Sequence, residues 1–99
     1  NGKEIDGVFA VNEHFAIYAI KALAGKGLKV PDDVSVVGFT NGELSKLFNP
    51  SLTTVSQHGA EIGARAARLL IKKLESEEEG SYETIIVETE LIERNSTKH

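Results

Sequence analysis

The sequence predicts an α/β domain organised around a parallel βαβ unit. Three observations lead there: two short apolar runs of strand composition, GVFAV at 7–11 and VSVVGF at 34–39; a helix-periodic stretch between them; and turn residues ahead of the second run. Apolar runs of that length, rich in Val and Phe, have the character of buried strands. Two strands joined by a helix over so short a span pair in parallel, through a right-handed crossover.

Each element has a local cause. Asn12 offers its side-chain oxygen as a helix N-cap, and Glu13 places a negative charge in the first turn, where the helix dipole favours it. The helix is expected over 13–24. Ala16, Ile20 and Leu23 form one stripe, but Phe15, Ile17, Ala19 and Ala22 spread apolar character around most of the circumference, so the helix calls for burial on two sides. Gly25 and Gly27 stop it, and Pro31, Asp32 and Asp33 turn the chain into the second run. TNGE at 40–43 reads as a loop, 43–48 as a short helix, Asn49-Pro50 as a turn, and LTTVSQ at 52–57 as a third β-prone segment.

The second half is patterned differently. Over 59–75, Ile62, Ala66, Leu69, Leu70 and Leu74 line one side and Glu61, Arg65, Arg68 and Lys72 the other, which makes a conventional amphipathic helix with a Glu61–Arg65 pair four apart. The acidic stretch 75–79, ahead of Gly80 and Ser81, reads as a solvated helix end and loop. TIIVETELIE at 84–93 is partly alternating and β-rich, and 94–99 reads as a polar tail.

Composition excludes several function classes. The chain has 99 residues, 40% hydrophobic and 26% charged, which describes one ordinary unit with a thin margin of stability. Its net charge of -4 argues against a surface that grips phosphates, so these residues alone are not expected to bind DNA. Cysteine is absent, as is common in a reducing compartment, and no leader pattern or long apolar run points to a membrane. Catalysis is not expected: there is no cysteine and no G-x-S-x-G, and His14 and His58 stand isolated. No spacing fits a metal site, and the glycines form no phosphate cradle, so neither metal nor cofactor is expected.

What remains is binding. In an open parallel sheet, ligands sit beyond the carboxyl ends of the strands, where loops and helix N-termini converge. Asn12 follows the first strand, and Thr40 with Asn41 follows the second, so all three share one rim if the strands are neighbours. Amides and a hydroxyl suit vicinal hydroxyls or a base edge. The plainer alternative is that Asn12 only caps its helix and Thr40-Asn41 only turns the chain.

FAVNEHFAIYAIKAL, then GLKVPDDVSVVGFTN, then NPSLTTVSQ, together with GARAARLLIKKL and the closing TELIERNST, resemble the C-terminal half of a LacI/GalR-type transcription regulator over nearly the whole chain. The specific part is V-P-x-D-V-S-V-V-G-F followed about ten residues on by P-x-L-T-T-V-x-Q. The resemblance implies a lobe of a periplasmic-binding-protein-like (type I) fold, incomplete in this chain. Residues 1–57 would belong to the C-terminal lobe of the effector domain, 58–83 to a helix and loop crossing to the other lobe, and 84–99 to a returning strand and tail. It further implies a cytoplasmic homodimer regulated by a sugar or similar polar effector, with DNA bound only through a headpiece outside these residues. Asn12 falls at an effector-contacting amide; Thr40 falls where an aspartate commonly binds sugar hydroxyls and is a departure, for which Asn41 is a candidate substitute. Ile17, Tyr18 and Lys21, with Leu44, Leu47 and Phe48, fall where two subunits pair. The apolar stripe of the second long helix is expected to meet another copy. Two rivals share the architecture: a sugar-binding protein of a transport system, and an enzyme of flavodoxin-like topology.

Overall fold

A computed structural model describes residues 5–76 and 83–98. The first apolar run forms β1 (Gly7–Ala10), and Asn12 caps α1 (Glu13–Gly25) by accepting the Phe15 amide at 2.9 Å. The helix ends in a double turn: the Gly27 amide donates to the Ala24 carbonyl at 3.0 Å and the Leu28 amide to the Leu23 carbonyl at 2.9 Å. Gly27 takes φ +79°, the left-handed conformation this ending requires and a residue without Cβ adopts freely. The second run forms β2 (Ser35–Phe39), followed by the short α2 (Glu43–Leu47) and by β3 (Thr53–Ser56).

β1, β2 and β3 lie side by side in chain order and are parallel, with Ala10 opposite Gly38 and Phe39 opposite Val55. α1 packs on one face. There Ala10, Ala16, Ile20, Val36 and Leu52 form the buried core, with Val8, Leu23, Val30 and Phe48 packed around it. Gly38 lets the helix approach: a Cβ at that position would sit 3.0 Å from Leu52 Cδ2 and 3.3 Å from Ala16 Cβ. The opposite face is open, although the apolar runs have the character of buried strands. Phe9 packs edge-on against Phe39, ring centres 6.4 Å apart, yet stays 62% exposed. Among the described residues α1 is the helix that packs extensively on the sheet.

α3 (Gly59–Glu75) matches the expected amphipathic helix, including an Arg65–Glu61 ion pair at 2.9 Å, but buries no residue. It leaves β3 through His58, whose φ of +54° turns the chain sharply away from the sheet. The result is elongated, 63 × 28 × 22 Å with a radius of gyration of 18.7 Å, against about 13 Å for a compact chain of this size. Ile62, Ala66 and Leu69 face Ile85 and Val87 across a shallow groove, so part of the stripe is met by this chain's own return segment, while Leu70 and Leu74 remain exposed. Most of the acidic loop, residues 77–81, lies outside the described residues.

Two expectations for the C-terminal segment are corrected. The β-rich stretch 84–93 forms a strand only at β4 (Glu90–Ile92), antiparallel to β3. The ladder ends at Ser56 opposite Glu90 because β3 itself ends there; residues 84–89 run past it alongside α3, with no strand left to pair with. Residues 94–98 are not a loose tail. Ser96 is fully buried, donating its amide to the Ser51 carbonyl and its hydroxyl to the Val36 carbonyl while accepting the amide of Thr53. A stretch without hydrophobic periodicity is held instead by backbone groups that the starts of β2 and β3 leave unpaired.

Candidate functional site

Asn12 and Thr40 each lie two residues beyond a paired position, Ala10 and Gly38, on adjacent parallel strands. Strands in a sheet are spaced about 4.8 Å apart, so the two residues stand at one end of the sheet on neighbouring strands. Both ways of taking Asn12 meet here, since it caps α1 and also sits on the rim. Its Oδ1 accepts the Phe15 amide, so the side-chain NH2 and the second lone pair of that oxygen are what it can offer.

Thr40 has φ +78°, a left-handed conformation uncommon for a β-branched residue. Such a residue persists where its surroundings over-determine it. Three consecutive residues are tied to β3, to Arg94 just beyond β4, and to α1. The Thr40 amide donates to the Val55 carbonyl of β3 at 2.9 Å. Asn41 Oδ1 accepts the Thr54 hydroxyl at 3.0 Å and Arg94 Nη2 at 2.9 Å. The Gly42 amide donates to Glu13 Oε2 at 3.0 Å.

The sequence offers Glu13 only as a first-turn acid and Arg94 only as the start of a polar tail. Glu13 Oε2 also accepts the Ser45 amide at 3.2 Å and the Ser45 hydroxyl at 2.7 Å, so one carboxylate oxygen in the first turn of α1 gathers three donors from the start of α2. Ser45 is fully buried, and its carbonyl accepts the Leu52 amide, which carries the link on into the core. Arg94 Nη1 donates to the Leu52 carbonyl at 2.7 Å and to Thr54 Oγ1 at 3.2 Å, and its backbone amide to Thr53 Oγ1 at 2.8 Å. These bonds join residues about 30 to 50 positions apart, which a pattern read over a few turns does not reach. The available signals were local: an acid in a first turn, and an arginine directly after a β-rich run.

One expectation needs correction. Asn41 was the candidate to replace the missing carboxylate as an acceptor, but its Oδ1 already takes two donors, and its remaining group is a donor. The expected pairing surface is also divided. Tyr18, Lys21, Leu44 and Leu47 are exposed, whereas Ile17 is buried in its own chain and Phe48 packs against the core. A helix that buries Ile17 with Ala16 and Ile20 has a wider inward face than its single stripe implied. Among the described residues, no three His, Asp or Glu side chains group as metal ligands, and no helix is long and apolar enough to cross a membrane.

The periplasmic binding protein-like domain family matches residues 3–97. The chain belongs to that family. Within it, the sequence and the structure both match regulators of the LacI/GalR type, which are effector-responsive and non-catalytic. The HTH-type transcriptional repressor PurR of Histophilus somni (strain 129Pt) is 44% identical over 91 residues, which cover 92% of this chain and 27% of the relative. The HTH-type transcriptional regulator RegA of Clostridium saccharobutylicum is 43% identical over 97 residues, covering 96% and 28%. A LacI family regulator from Enterococcus faecalis V583, solved with bound ribose, superposes with TM-score 0.89 at 32% identity, covering 97% of this chain and 36% of that one. Another from Arthrobacter sp. FB24, in complex with lactose, gives TM-score 0.87 at 32% identity, covering 96% and 36%. The chain thus spans about a quarter to a third of the length of the periplasmic binding protein-like regulators it matches.

Proposed function

We propose that these residues form part of the effector-binding domain of a cytoplasmic LacI/GalR-type transcription regulator, and that a small polar effector, a sugar or a related metabolite, contacts Asn12, Thr40 and Asn41. The observation that carries the reading is the shared rim: two strand-end polar residues on adjacent parallel strands, beside a loop held in a left-handed conformation. Structures of the same shape hold ribose and lactose, which supports a hydroxyl-rich effector. Each hydroxyl oxygen can accept from the free amide NH2 groups while Thr40 Oγ1 adapts as donor or acceptor. DNA would be engaged by a headpiece outside these residues, in keeping with the net charge of -4. Residues 1–57 serve as one lobe, while α3 and the segment returning from it cross to a second.

Homodimerisation belongs to the same reading, through the exposed Tyr18, Lys21, Leu44 and Leu47, with Ile17 and Phe48 acting as supports from within rather than as contacts. The test uses the regulator that carries this segment, titrated calorimetrically with ribose and with lactose. Asn12→Ala should weaken the sugar that binds by about tenfold, the loss of a hydrogen bond to ligand. Unchanged affinity in that variant would remove Asn12 from the site, and failure of both sugars to bind would move the effector out of the simple-sugar class.

A further inference from the structure

Arg94 lies two residues beyond β4, outside the rim, yet its guanidinium reaches the Asn41 side chain. Both Nη atoms of the fork donate. Nη1 is anchored on the Leu52 carbonyl at 2.7 Å and on the Thr54 hydroxyl at 3.2 Å, and Nη2 is directed at Asn41 Oδ1 at 2.9 Å. Because an arginine can only donate, it decides which end of the neighbouring amide faces it: the oxygen must turn toward Arg94 and the NH2 away. The Thr54 hydroxyl, itself fully buried, donates to the same oxygen at 3.0 Å and repeats the instruction. Thr40, the residue before Asn41, is the one held at φ +78°.

We infer that Arg94 is a positioning residue of the effector rim: it fixes the orientation of the Asn41 amide, so that Asn41 can present hydrogen-bond donors and not an acceptor, and it steadies the left-handed turn at Thr40. This rests on the effector reading above and deepens it. The ligand atom that meets Asn41 must then be an acceptor, such as a hydroxyl or ring oxygen or a carbonyl. Arg94 also follows the strand that returns from α3, so the return segment and the rim share a single side chain.

The experiment uses the regulator that carries this segment, with ribose as probe. Arg94→Lys keeps the charge but loses the planar fork, since one ammonium on a flexible stem cannot hold Leu52 and Asn41 in fixed geometry together. Ribose affinity should fall about tenfold in Arg94→Lys, as for loss of an oriented hydrogen bond, but by less than about twofold when the same change is made in an Asn41→Ala background. Asn41→Asp keeps a charge-assisted bond to Arg94 while removing the NH2, so it should hold or raise the melting temperature and still lose ribose. Independently of any ligand, amide exchange at residues 40–42 should accelerate in Arg94→Lys while the amides of α1 keep their protection. Additive affinity losses in the double variant, or unchanged exchange at residues 40–42, would overturn the assignment. If ribose does not bind the unmodified regulator, the sugar reading is what fails, and the exchange pattern alone decides the role of Arg94.

Discussion

α1 and α3 invert the usual relation between pattern and burial. α3 has the clean amphipathic stripe, yet none of its residues is buried and Leu74 is 78% exposed. α1 is apolar almost all round, with no clear division of faces, and it carries Ala16, Ile17 and Ile20 into the core. The difference shows that periodicity reports which face of a helix is to be covered and says nothing of what covers it. For α1 the cover is the parallel sheet a few residues away in the chain. For α3 the described residues supply Glu83, Ile85 and Val87 along part of its length.

The largest effect that would sharpen this contrast is expected at Leu52, which is fully buried between β2 and α1. Leu52→Ala should destabilise by about 3 kcal/mol, the usual range for a large-to-small core change, read as a lowered midpoint in urea unfolding. A loss under about 1 kcal/mol would mean that the lobe is loosely packed and that the contrast with α3 is overdrawn. Next in size is Glu13→Gln. The neutral amide keeps an acceptor but loses the charge that attracts three donors, so about 1 to 2 kcal/mol should go, together with protection of the Ser45 amide from exchange. Equal exchange at Ser45 in the two proteins would place the anchor of α2 elsewhere. The smallest effect is expected at the tip of α3, where Leu74→Ala should change stability by less than about 0.5 kcal/mol if that side chain is as exposed in solution as it is here. A loss of several times that, in the regulator that carries this segment, would mean that another lobe or another copy covers the helix and would give the missing half of the comparison.

How far the sequence could be read follows the same division. Strands and helices whose signals are local were legible: Asn12 as a cap, the glycines after α1, the extent of α3, and the shared end of β1 and β2 that brings Asn12 and Thr40 onto one rim. The ladder of β4 was over-read because its length is set by where β3 stops, and that limit belongs to the partner strand rather than to residues 84–93. Ser96 and Arg94 read as tail because their partners are backbone carbonyls and hydroxyls some forty to sixty residues away, at Val36, Leu52 and Thr54. Ile17 falls at a subunit contact by resemblance alone, and its burial in its own chain was not legible because an apolar circumference leaves the inward face undetermined until the sheet is present.

The pairing of Ser56 with Glu90 has a mechanical meaning. Chain leaves the sheet at the end of β3 and re-enters it at the start of β4, and those two crossing points are bonded side by side. The projecting arm is therefore suspended on two cords laced together at the exit, not on one. A single cord would let the arm swivel about every free torsion; a laced pair resists twist and sideways play and bends most easily in one direction, across its flat. A displacement of the arm is therefore expected to reach the sheet mainly as a tilt of that strap, whose returning cord runs within two residues of Arg94.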